Sequence, residues 1–75
     1  MQAYANLGGD SGVSAYEIGP TSIKVRFTTG ATYLYNHAAP GKAAVDGMKA
    51  LAQAGRGLNA YITRHVGKNF ASKLV

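Results

Sequence analysis

The clearest pattern along the chain is an alternation of apolar and polar residues on both sides of a glycine-bearing turn. Residues 23–27 read Ile-Lys-Val-Arg-Phe and residues 31–35 read Ala-Thr-Tyr-Leu-Tyr, with Thr29-Gly30 between them. A repeat of two is typical of a strand with one buried face, and two such runs around a short turn predict a β-hairpin. The shorter segment from Val13 to Ile18, followed by the turn residues Gly19-Pro20, predicts a strand before the hairpin.

The register of this hairpin decides on which face of the sheet the tyrosines lie. A two-residue loop would pair Arg26 with Tyr33 and build a basic aromatic surface suited to stacking on bases. A three-residue loop, Thr28-Thr29-Gly30, would pair Val25 with Tyr33 and turn the tyrosines towards the core. A type I turn followed by a left-handed glycine is a common connection, whereas the two-residue turn needs a positive φ at a β-branched threonine. The sequence therefore favours the three-residue loop and mainly structural tyrosines.

Beyond a connection at residues 36–41, apolar residues recur at spacings of three and four, which predicts two helices. Pro40 suits the first turn of a helix that runs to about Ala54. Its apolar face consists of Val45, Met48, Leu51 and Ala52. The turn Gly55-Arg56-Gly57 is predicted to end this helix and lead into a second one, which stops at Gly67. The second apolar stripe consists of Leu58, Tyr61, Ile62, His65 and Val66.

Together these elements predict one small α+β domain, a three-stranded antiparallel β-meander followed by two α-helices packed on one face. Residues 1–12 contain three glycines and show no period, so they are predicted to be a flexible N-terminal lead-in with Tyr4 or Leu7 held against the core. Residues 13–75 form the predicted domain. A chain of 75 residues buries only a small core and has room for one binding face.

The residue inventory disfavours catalysis. The chain has no cysteine, which excludes disulfides, thiolate metal sites and a cysteine nucleophile. His65 is predicted at the rim of the core and His37 in a loop, and their spacing matches no metal-ligand motif. We therefore predict a binding module rather than an enzyme, with no cofactor and no metal. No apolar run is long enough to span a membrane and residues 1–12 do not resemble a signal peptide, so a cytoplasmic location is expected.

Charge is distributed unevenly along the chain. The net charge is +5, and the chain from Gly41 onward contains six basic residues and a single acidic one, Asp46. The basic residues are Lys42, Lys49, Arg56, Arg64, Lys68 and Lys73. Such asymmetry predicts an anionic partner, namely nucleic acid, an acidic protein or a membrane surface. The alternative is a solvated helix face whose lysines keep the protein in solution.

The candidate nucleic-acid-binding residues lie on the two predicted helices and on the turn between them. They are Lys42, Lys49, Arg56, Asn59, Arg64 and Lys68. Arg56 lies at the helix junction, where its guanidinium could pair bidentately with a phosphate. Asn59 has an alternative structural interpretation as the N-terminal cap of the second helix.

The leading functional hypothesis is a small nucleic-acid-binding module of weak, salt-sensitive affinity. The alternative is a protein-interaction or dimerisation domain that uses an exposed strand edge, because a three-stranded meander leaves its outer strands open. We therefore expect nucleic acid or an acidic protein as the partner, and a monomer or a weak homodimer in solution.

Over about residues 14–66 the chain resembles the KTSC domain family. The matching positions are Ser14, the strand Ile23-Lys24-Val25-Arg26-Phe27, Gly30, Tyr33-Leu34-Tyr35, Pro40, the turn Ala54-Gly55-Arg56-Gly57, and Asn59-Ala60-Tyr61-Ile62. The family usually has a serine where this chain has Gly55, and a longer aromatic stretch where Leu58 directly precedes Asn59. The resemblance implies no established enzymatic activity. The family also occurs as an appendage on some lysyl-tRNA synthetases, and by analogy this leans towards RNA.

Overall fold

The computed structural model describes residues 1–7 and 12–75 of the chain. Within them the strands are β1 (Gln2–Ala3), β2 (Val13–Ile18), β3 (Ser22–Phe27), β4 (Thr32–Asn36) and β5 (Ser72–Lys73). Two helices lie between β4 and β5: α1 spans Lys42–Ala54, and α2 spans Leu58–Tyr61 and continues directly as a π-helical segment, Ile62–Val66. Residues 58–66 together are called the second helix below.

In the described part of the chain the strands form one antiparallel sheet in the order β1-β2-β3-β4-β5. The predicted α+β class is confirmed, and the predicted meander is present as β2, β3 and β4. The predicted number of three strands is wrong, because β1 and β5 extend the sheet on either side. Each of these strands has two residues, which is too short for an alternating pattern to show in the sequence.

The register between β3 and β4 confirms the predicted three-residue loop. Val25 pairs with Tyr33 and Ile23 with Tyr35. The N–H of Phe27 donates to the carbonyl of Ala31 across 2.8 Å, so residues 28–30 form the loop. Gly30, the third loop residue, has a φ of 94°, a conformation that residues with a β-carbon rarely adopt. The tyrosines of β4 therefore lie on the core side of the sheet.

One apolar core joins the sheet to both helices. From the sheet it takes Val13, Tyr16, Ile23, Val25 and Tyr35, from α1 it takes Val45, Met48 and Ala52, and from the second helix it takes Leu58, Ile62 and Val66. A bulge in β2 between Val13 and Ala15 puts Val13 and Tyr16 on the same face, although they are three residues apart. The helical members recur at spacings of three and four, as the sequence predicts.

The first helix ends at Ala54 as predicted, but its start differs from the prediction. Pro40 lies before the helix, and Gly41 occupies the N-cap position with a φ of 118°. The preceding loop is organised by Asn36, whose side-chain oxygen accepts hydrogen bonds from the N–H groups of Ala38 and Ala39, each at 3.0 Å. That side chain provides the local turn, so proline is not required at the first helical position.

Only part of the predicted lead-in lies in the described residues, since residues 8–11 fall outside them. Gln2–Ala3 pairs with β2, and the Tyr4 side chain is only 6% exposed. The Tyr4 ring packs edge-on against Tyr16 with 6.5 Å between centroids. Of the two residues expected against the core, Tyr4 is buried, whereas Leu7 is 61% exposed. The described helices include none with the length and apolarity that crossing a membrane requires.

Candidate functional site

Two of the basic residues are paired with carboxylates. Lys24 lies 3.3 Å from Glu17 across β3 and β2, and Lys42 donates a 2.7 Å hydrogen bond to Asp46 one turn further along α1. The hydrogen bond from Lys42 holds the pKa of the Asp46 carboxyl below its ordinary value. The same bond raises the pKa of Lys42. Both cations therefore have their charge balanced within the protein, and Lys42 of the predicted site is one of them.

Lys49 has a different partner and a different direction. Its ammonium donates to the carbonyl of Pro20, 3.4 Å away in the turn between β2 and β3. Gly47, two residues earlier, lies against the Tyr61 ring of the second helix. Residues two apart on an α-helix are separated by roughly 200°, so Lys49 points away from the side of α1 that packs on the second helix. The predicted site residue Lys49 is thus separated from the cations of the second helix.

Three predicted site residues remain exposed with no carboxylate partner among the described residues, namely Arg56, Arg64 and Lys68. Arg56 lies in the turn between the helices, as predicted, flanked by Gly55 and Gly57 with φ values of 77° and 79°. The two left-handed glycines end one helix and begin the next within three residues. Arg56 therefore lies at the N-terminal end of the second helix, and the other two cations lie near its C-terminal end.

Asn59 is not the cap of the second helix, so the structural interpretation of this residue is wrong. Gly57 occupies the N-cap position, and this residue has no side chain that could cap the helix. Asn59 is half-buried, and a β-carbon added at Gly12 would lie 3.2 Å from its Oδ1 atom. The hydroxyl of Tyr4 takes the capping role instead by accepting a hydrogen bond from the N–H of Leu58 at 3.3 Å. Sequence patterns miss this contact because capping signals are local.

The second helix exposes His65, which the sequence places at the rim of the core. The segment Ile62–Val66 is π-helical, and the N–H of Gly67 donates to the carbonyl of Ile62, five residues back. Ile62 and Val66 stay buried through this wider turn, while His65 turns outward to the same side as Tyr61. The His65 and Tyr61 rings pack with 4.9 Å between centroids and 44° between planes. Single π-helical turns occur frequently at functional sites.

The second histidine lies in the loop before α1, as the sequence predicts. The Nε2 atom of His37 is buried and has no hydrogen-bond partner among the described residues. The described ranges also contain no group of three histidine, cysteine or acidic side chains that could hold a metal ion.

Both edges of the meander are covered by the chain itself. On the outer edge of β4, the N–H of Leu74 donates to the carbonyl of Thr32 at 2.7 Å, and the N–H of Ala71 donates to that of Leu34 at 2.8 Å. On the outer edge of β2, the N–H of Tyr4 donates to the carbonyl of Ser14 at 3.0 Å. These bonds occupy backbone groups that an added strand would need.

Comparison of the chain with models of protein families, with curated proteins and with solved structures finds no match. The resemblance to the KTSC family stays a prediction based on the motifs quoted above.

Proposed function

We propose that this protein is a binding module that contacts the phosphates of nucleic acid with Arg56, Arg64 and Lys68. The observation that carries the proposal is a difference among the five predicted cationic site residues. Lys42 is paired with a carboxylate and Lys49 donates to a backbone carbonyl, whereas Arg56, Arg64 and Lys68 are exposed and have no carboxylate partner among the described residues. Free guanidinium and ammonium groups bind phosphate oxygens by charge-assisted hydrogen bonds.

The net charge of the chain supports the proposal. A charge of +5 on 75 residues attracts a polyanion at long range, and the unpaired cations then supply the short-range contacts. The resemblance to the KTSC family, which also occurs on some lysyl-tRNA synthetases, favours RNA over DNA by analogy. Lys42, Lys49 and Asn59 have partners or packing of their own, so we assign them a smaller contribution.

The alternative function, association with a protein through an open strand edge, has less support from the geometry. The outer edges of β2 and β4 are hydrogen-bonded to the segments around β1 and β5. A partner strand would have to displace these segments to pair with β2 or β4, and the edge strands β1 and β5 offer only two residues each. We therefore expect a monomer in sedimentation experiments; a stable dimer without nucleic-acid affinity would support the alternative.

Fluorescence anisotropy with labelled single-stranded RNA and DNA of about 12 nucleotides tests the proposal, since binding sites of small modules span about this length. Three phosphate contacts predict that the logarithm of the association constant falls with the logarithm of salt concentration with a slope of about −2. An absence of binding at low salt, or an affinity that does not change with salt, would contradict the proposal.

A pair of matched double variants separates local contacts from total charge. Arg64→Gln with Lys68→Gln removes two unpaired cations, and Lys24→Gln with Lys42→Gln removes two paired ones. Both variants have a net charge lower by two. We expect a loss of affinity on the order of tenfold for the first and a clearly smaller loss for the second, because only the first removes phosphate contacts. Equal losses would show that overall charge alone drives the binding.

A further inference from the structure

The exposed ring of His65 packs on a neighbour that is itself packed against α1. Its imidazole packs on the Tyr61 ring at 4.9 Å between centroids. Tyr61 is half-buried, and its hydroxyl and Cζ atoms would lie 2.8 and 3.0 Å from a β-carbon added at Gly47. The glycine thus lets the Tyr61 ring lie directly against α1, which supports His65 from behind. A side chain that is already ordered loses little entropy when a second ring stacks on it.

Two basic residues flank His65 along the chain. Arg64 precedes His65 and Lys68 follows it by three residues, and both are exposed with no carboxylate partner among the described residues. An ordered aromatic surface next to cations is the arrangement that proteins use for single-stranded nucleic acid, in which bases stack on rings while phosphates meet basic side chains. In a duplex the bases are stacked on one another, so an exposed ring on a helix surface has no free base to contact.

We propose that His65 is a stacking position for an unpaired base and that the protein prefers single-stranded nucleic acid to duplex. This inference rests on the proposed function and defines its substrate class. The Tyr61 ring acts as the support, and Arg64 and Lys68 bind the phosphates on either side of the stacked nucleotide. The contact is to the face of the base, so it requires no particular sequence.

The test compares three labelled ligands of equal length with the full chain, in anisotropy titrations at one salt concentration. They are a single strand, a sugar–phosphate backbone of the same length synthesised without bases (the abasic strand), and a duplex. We expect the single strand to bind about five- to a hundredfold more tightly than the abasic strand, the range expected for one base–ring stack. We also expect it to bind more tightly than the duplex. A duplex or abasic strand that binds as tightly as the single strand would overturn the inference while leaving phosphate binding, and so the proposed function, intact. An absence of salt-dependent binding to all three ligands would overturn both.

Two substitutions at this exposed position separate stacking from charge. His65→Phe keeps an aromatic ring without a titratable group, and His65→Lys keeps a positive charge without a ring. Stacking predicts that the phenylalanine variant retains the preference for the single strand over the abasic strand and that the lysine variant loses it. The reverse result would overturn the inference by assigning the contribution of His65 to charge. Circular dichroism of both variants verifies that the fold is unchanged, which the exposure of the side chain leads us to expect.

Discussion

The hydroxyl oxygen of Tyr4 accepts a hydrogen bond from the backbone N–H of Leu58, a residue 54 positions away in the sequence. Leu58 is the first residue of the second helix, where backbone N–H groups have no partner within the helix. Gly57 before it has no side chain that could supply one. A buried hydrogen bond therefore links the N-terminal segment that contains Tyr4 to the second helix.

Tyr4→Phe is expected to lower the free energy of unfolding by about 1–2 kcal/mol, because it leaves the buried N–H of Leu58 without an acceptor. Urea unfolding followed by circular dichroism measures this loss. Tyr16→Phe is the matched control, since Tyr16 packs against the same ring and its hydroxyl has no hydrogen-bond partner among the described residues. An equal loss in both variants would show that the hydroxyl of Tyr4 has no special role.

Gly55→Ala is expected to destabilise the protein more than Gly30→Ala. Both glycines have φ in the left-handed region, at 77° and 94°, so each substitution costs about 1–2 kcal/mol of backbone strain. A β-carbon at Gly55 would also lie 2.7 Å from the β-carbon of Ala5, whereas one at Gly30 would meet no heavy atom of the described residues within 4 Å. We expect an additional cost of about 1–3 kcal/mol at Gly55 for this clash.

Thermal unfolding of the two variants under identical conditions measures the difference. The double variant Ala5→Gly with Gly55→Ala serves as a control, because removing the β-carbon of Ala5 relieves the clash. We expect it to recover most of the difference from Gly30→Ala. Indistinguishable midpoints for Gly55→Ala and Gly30→Ala would contradict the close packing of the N-terminal segment on this turn.

Gly47→Ala is expected to destabilise the protein even though alanine is the better helix former. The new β-carbon would lie 2.8 Å from the Tyr61 hydroxyl, and overpacking of this kind costs about 1–3 kcal/mol. Alanine gains only about 1 kcal/mol over glycine within a helix. In a Tyr61→Leu background the clash is absent, so the same substitution should become stabilising by about 1 kcal/mol.

A double-mutant cycle in urea gives the coupling between positions 47 and 61 directly. The helix-propensity contribution is calibrated separately with Ala50→Gly, at an exposed position of the same helix. A stabilising Gly47→Ala in the wild-type background would contradict the close approach of α1 and the second helix.

Alkaline pH should weaken the fold through Tyr35. Burial, together with the neighbouring Tyr33, raises the pKa of Tyr35 from 10.0 to about 12. The folded state therefore holds its proton more tightly than the unfolded state does. The resulting stability is fully present below pH 10 and is lost as the pH rises through 12, by about 3 kcal/mol at most.

The informative quantity is the difference in unfolding free energy between the wild type and Tyr35→Phe, measured in urea at several pH values. Other tyrosines and lysines titrate in both proteins, and the contributions of those that do not interact with Tyr35 cancel in this difference. We expect a difference that is constant from pH 7 to 9 and then shifts in favour of the phenylalanine variant between pH 10 and 12. A difference that is independent of pH would contradict the raised pKa.

The sequence predicts the parts of this fold that local chemistry determines. The threonine pair before Gly30 selects the hairpin loop, and with it the register that puts Tyr33 and Tyr35 on the core side. The spacing of Leu58, Ile62 and Val66 identifies the buried side of the second helix. These predictions hold because turn type and helical period depend on neighbours along the chain.

Contacts between distant segments are what the sequence leaves open. The pairing of β1 and β5 with the meander, the hydrogen bond of Tyr4 and the contact of Lys49 with Pro20 all join residues far apart in sequence. The candidate site shares this difficulty, since the separation of paired from unpaired cations depends on which side chains meet after folding. Local patterns equally give no sign that residues 62–66 are π-helical or that His65 is exposed.

The meander and the Tyr4–Leu58 hydrogen bond also imply an order in which parts of the structure form during folding. Residues 13–36 pair between neighbouring strands through short turns, so this part closes only small loops and is expected to form early. The Tyr4 contact closes a loop of 54 positions and can form only after the second helix has docked. The hydrogen bond between Tyr4 and Leu58 is therefore expected to form late in folding and to break early in unfolding. The backbone amide of Leu58 should accordingly exchange with solvent faster than those of β3, even in the fully native protein.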